Sequence, residues 1–110
     1  MENKETKKER MELIRILTGL LSVLRAAIGI SQGELAECIG ISRQTYCSLE
    51  QGKRDMSWST FLSLFLFFIS NEETYSLLKV NKGFIARVYK TLQFRPDETV
   101  QYPQGIENKM

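Results

Sequence analysis

The chain contains no histidine, two cysteines, two prolines and one tryptophan among its 110 residues, and each scarcity excludes something. Without histidine there is no imidazole to serve as a base near neutral pH. Cys38 and Cys47 alone cannot complete the four-ligand set of an ordinary zinc site, so neither a metal nor a cofactor is expected. No glycine-rich phosphate loop occurs, and no nucleophile has a recognisable partner, which speaks against an enzyme. Long apolar runs are missing too. The most apolar segment, Phe61 to Ile69, has nine residues, about half of what an α-helix needs to cross a bilayer, so it is read as a core helix and no membrane span is expected. A dominant charge is also lacking: 15 Lys and Arg stand against 13 Asp and Glu, and a net charge of +2 does not argue for nucleic acid by itself. The opening, Met1 to Arg10, is highly charged rather than a short basic start followed by an apolar run. That favours the reducing cytoplasm, where both thiols stay free and Cys47 is read as inert.

What is present describes an ordinary globular domain, 43% apolar and 25% charged. Leu13, Leu17, Leu20, Leu21, Leu24 and Ile28 recur at helical spacing, with Gly29 as a stop and Gly19 as an interruption, so the first helix is predicted to begin at Met11 or near Leu20. Ser31 with Glu34 three residues later forms a capping-box pattern, and Ser42, Ser57 and Asn71 are further cap candidates. Glu72 and Glu73 suit the positive end of a helix dipole. Asn81 and Gly83 break the pattern before a stripe of Phe84, Ile85, Val88, Tyr89 and Leu92. The basic run Lys79, Lys82, Arg87, Lys90 and Arg95 is read as a solvated face. Together these signals predict an all-α bundle of about five helices. The expected organisation is a charged, flexible N-terminus over 1–10, a main domain over 11–70, a C-terminal helical extension over 71–95 and a flexible tail over 96–110, with Pro96 ending regular structure.

The segment Ser31 to Gln51 holds the most information. Ala36 is small where two short helices cross, and Gly40 tolerates the positive φ of a tight turn. Leu35, Ile39, Ile41, Tyr46 and Leu49 point inward, leaving Arg43, Gln44, Cys47 and Ser48 on the outer side of the second helix. With Leu24-Arg25 before it, Ser42-Arg43-Gln44-Thr45 within it and Glu50-Gln51-Gly52-Lys53-Arg54 after it, this pattern resembles the phage-repressor and Cro-like (Xre-type) helix-turn-helix family over roughly Leu20 to Ile69. Two positions depart from that pattern: Gly33 lies inside a helix, and Tyr46 is bulkier than an aliphatic residue.

The resemblance implies a lambda-repressor-like fold whose second helix enters the major groove of double-stranded DNA. It makes Arg43, Gln44, Thr45 and Ser48 the base readers, because arginine pairs bidentately with guanine and glutamine with adenine. Gln32, Arg25, Lys53 and Arg54 become phosphate contacts that set register and salt dependence. Glu50 is read as structural, paired with a nearby cation. Phe61 to Ile69 is apolar around its whole circumference and needs cover on two sides. A homodimer through Phe65, Phe68, Phe84, Val88 and Leu92 would supply it and would favour near-palindromic sites; a C-terminal helix folded over its own core is the alternative. The expected function is a sequence-specific transcriptional repressor. A protein-interaction module, such as an antitoxin or adaptor, is the competing reading, kept open by Glu34 and Glu37.

Overall fold

A computed structural model describes residues 4–94, and the expected tail over 96–110 lies outside them. The first helix, α1 (Lys4–Ile28), has 25 residues and starts well before Met11. Its first turns are held by distant partners: Arg87 donates two hydrogen bonds of 2.8 Å to the Glu9 carboxylate, and the Arg10 guanidinium lies 5.1 Å over the Trp58 ring. The expectation of a flexible N-terminus is therefore corrected for residues 4–10, because a charged segment is ordered once oppositely charged and aromatic partners face it. Gly19 does not interrupt the helix. It sits on the exposed side, where an added Cβ would meet nothing within 4 Å. Leu13, Leu17, Leu21 and Leu24 form the buried stripe.

Three serines then start three helices in the expected way. Ser31 caps α2 (Gln32–Ile39) in a complete capping box, with the Glu34 N–H donating to Ser31 Oγ and the Ser31 N–H donating to Glu34 Oε1, both at 3.0 Å. Hydrogen bonding to the Ser31 backbone N–H first, and to the Ser31 side chain second, holds the Glu34 carboxyl below its usual value. Ser42 caps α3 (Arg43–Glu50) and Ser57 caps α4 (Trp58–Ile69), each accepting from the backbone three residues on. Asn71 precedes α5 (Glu72–Lys79) but makes no side-chain cap; its Nδ2 donates back to the Phe67 carbonyl at 2.8 Å, closing α4 instead. After the break at Gly83 comes α6 (Phe84–Thr91). The described residues thus hold six helices rather than about five, and no strand.

The spine of the bundle is α1, which touches α3, α4, α5 and α6. It bends by 107° into α2. Between α2 and α3, Gly40 adopts φ 80°, a left-handed turn conformation that costs glycine little. Behind these helices lies an aromatic core, in which Phe84 meets Phe61 and Phe65 edge to face at 6.3 and 5.9 Å. The all-round apolar character of α4 is explained here: α1, α2 and α5 pack against it and α6 reaches it through Phe84 and Tyr89, all within one chain. Phe68, Phe84 and Val88 are 0% exposed and Phe65 only 3%. These four residues are corrected from a dimer contact to the chain's own core, and of the expected set only Leu92 is left on the surface. Among the described residues no single helix is long and apolar enough to cross a membrane.

Candidate functional site

Glu50, the last residue of α3, is the hub of a polar network among the described residues. Its carboxylate is half-buried and accepts four hydrogen bonds. Arg25 of α1 supplies two in a bidentate pair, both at 2.8 Å. The Tyr46 hydroxyl donates to the same oxygen as Arg25 Nε, at 2.6 Å. The Gln32 amide of α2 donates to the other, at 2.9 Å. The far side of that amide accepts from the Cys47 thiol at 3.1 Å, and Arg25 also donates to the Ile30 carbonyl at 3.2 Å. One carboxylate therefore ties α1, α2 and α3 together. With only 19% and 12% of the two side chains exposed, this ion pair is shielded from solvent.

The titration behaviour follows from this geometry. The Arg25 guanidinium, helped by Tyr46 and Gln32, holds the Glu50 carboxyl below its ordinary value despite burial. Burial, together with the hydrogen bond to Glu50, pushes the Tyr46 hydroxyl far up, so it remains a donor. Glu50 in turn raises Arg25.

This network also sorts the expected site residues. Arg43 and Gln44 are exposed at the start of α3, with no hydrogen bond or ion pair to any described residue. Thr45 and Ser48 are half-buried. The Thr45 hydroxyl accepts from Ser42 Oγ at 2.8 Å and from Arg54 at 3.1 Å, so its oxygen serves the start of the helix and the loop after it. Lys53 and Arg54 are exposed in that loop, and the Lys53 N–H closes it by donating to the Ser48 carbonyl. Arg25 and Gln32 differ from the expected phosphate contacts. Their polar atoms are turned inward onto Glu50, Ile30 and Cys47, because a half-buried carboxylate needs those donors. Both are corrected to residues that position α3.

Both departures from the helix-turn-helix pattern find a place in this arrangement. Tyr46 carries a hydroxyl to Glu50, a second donor on the oxygen that Arg25 Nε also serves, which an aliphatic residue would not supply. Gly33 lies beneath Arg43: a Cβ built there would sit 3.5 Å from Arg43 Cδ, in ordinary contact, so anything larger would displace the arginine stem. Sequence reasoning recognised Glu50 as structural but not its partner, since Arg25 lies 25 positions away and nothing local joins them. Among the described residues, no three His, Cys, Asp or Glu side chains gather as a metal would require. Compared with known proteins, the chain matches no family model, no curated protein and no solved structure.

Proposed function

We propose that this chain is a sequence-specific DNA-binding regulator of the helix-turn-helix kind, reading the major groove with the N-terminal half of α3. The observation that carries the reading is the contrast within that helix. Tyr46, Leu49 and Glu50 anchor it from behind, while Arg43 and Gln44 stand exposed and uncommitted in front. A guanidinium fork and an amide on a rigid helix match the paired acceptors of guanine and the donor and acceptor of adenine. Thr45 and Ser48 add shorter contacts, and Lys53 and Arg54 hold the backbone phosphates. Two copies bind a near-palindromic site, and occlusion of a promoter makes the effect repression. Leu66, Tyr89 and Leu92, each with about half or more of its surface exposed, are apolar side chains that a second copy can cover.

The test is enrichment of duplexes from a random pool by the full chain. A selected half-site is expected, and Arg43→Ala with Gln44→Ala should abolish the preference at two or more base pairs while the helical signal stays intact. Unchanged affinity and preference in that variant would refute the assignment. The protein-interaction reading draws on less: Glu34 is spent on its capping box, leaving Glu37 as the exposed acid of α2 without a bond of that kind.

A further inference from the structure

The N-terminal half of α1 carries a second charged surface that the reading of α3 does not use. Lys4, Lys8, Met11 and Arg15 follow at spacings of four, three and four, which stacks them on one helical face. Lys7 joins them, and all five line one shallow surface together with Glu12. The acids of this segment are spoken for: Glu12 pairs with Arg15, Glu9 is bound by Arg87, and Glu5 does not line that surface. Lys4, Lys7 and Lys8 are exposed, and no described residue pairs with them. Met11 and Arg15 also line a groove of about 720 Å³ that reaches the loop after α3, where Gly52, Arg54 and Asp55 border it. From Arg15 to Lys4 the face covers about 16 Å at 1.5 Å per residue, and its Arg15 end shares that groove with the loop after α3.

We propose that this face is a second backbone contact, in which Lys4, Lys7 and Lys8 grip phosphates of the same duplex that α3 reads, beyond the stretch held by Lys53 and Arg54. The inference rests on the DNA-binding reading of α3. A rigid helix presenting lysines in register suits a polyanion of fixed spacing. These ammonium groups carry no sequence information, so they add affinity and salt dependence without altering site choice. The same ordering that removes flexibility from residues 4–10 gives the contact its geometry.

The experiment uses the full chain and a triple variant, Lys4→Gln with Lys7→Gln and Lys8→Gln. Each is titrated against a duplex carrying the enriched site and one of unrelated sequence, across a salt series. Circular dichroism and the melting temperature confirm that the variant folds as the parent does. The variant should bind both duplexes about tenfold or more weakly at 0.1 M salt, with a salt slope shallower by about 2 to 3. The ratio between the two duplexes should be preserved. A parent that binds with sequence preference and a variant with the same slope would overturn the second contact while leaving the reading of α3 intact. A parent that binds neither duplex at low salt would overturn both.

Discussion

The two halves of this bundle are held by different physics. In the half containing α2 and α3, the helices have eight residues each, as α5 and α6 do in the other, too short to be stable alone. Helices α2 and α3 bury only Leu35, Ala36, Tyr46 and Leu49, and rely on serine caps and on the Glu50 network for their placement. The half built from α4, α5 and α6 buries Phe61, Leu64, Phe65, Phe68, Leu78, Phe84 and Val88, and its cohesion is chiefly apolar. Hydrophobic contact supplies free energy but little direction. A hydrogen-bonded carboxylate supplies direction, because its donors must approach along its lone pairs. The polar lock fixes the orientation of α3 against α1 and α2, and the aromatic core holds α4, α5 and α6 together.

Substitutions can break or sharpen that contrast, in descending order of effect. Phe61→Ala, which empties a fully buried aromatic position, should cost about 3 to 5 kcal/mol in urea unfolding and lower hydrogen-exchange protection throughout. Glu50→Ala should cost about 3 kcal/mol, near the lower bound for breaking a buried pair because some solvent still reaches it. Its mark should be local, with amide protection lost first over α3. Equal loss of protection in all six helices would show that the network adds only bulk stability.

Smaller effects come from within the network. Tyr46→Phe removes one donor and keeps the ring, and should cost about 1 to 2 kcal/mol by the same measurement. Acid offers a way to weaken the lock without mutation. The folded pKa of Glu50 is depressed below the ordinary 4.5, so the unfolded chain takes up the proton first. Its contribution is full above that ordinary value and is lost as pH falls through the folded one. Glu9 and Glu34 are depressed in the same direction, so the parent should lose stability below about pH 5. Glu50→Gln should make that loss shallower, read from urea midpoints between about pH 3 and pH 6. The smallest change expected is for Ser31→Ala, about 1 kcal/mol from a lost cap, with α3 unaffected.

What could be read beforehand was whatever has a local cause. The caps at Ser31, Ser42 and Ser57, the turn at Gly40 and the inward placement of Leu35, Tyr46 and Leu49 all depend on neighbours within a few positions, and the structure has them as expected, with Ile39 and Ile41 only partly buried. Placements decided by distant partners were not legible. Arg25 looked like a surface cation until Glu50 faced it across 25 positions. Residues 4–10 looked like a loose charged start until Glu9 met Arg87 across 78. The aromatic residues assigned to a second subunit were correctly seen to need cover, but periodicity does not say whose helix provides it. Asn71 had the right chemistry for a cap and used its amide on the helix behind it.

The clasp between Glu9 and Arg87 has a practical meaning for anyone shortening this protein. Met11 marks the natural place to trim, since the leucine stripe begins beyond it. A chain cut there would lose the carboxylate that holds α6 and the guanidinium that shields the Trp58 ring. The ends of the bundle would then fray together, uncovering Phe84 and Phe65 to solvent and to other molecules. Low solubility in such a fragment would report a missing fastener rather than an unstable fold.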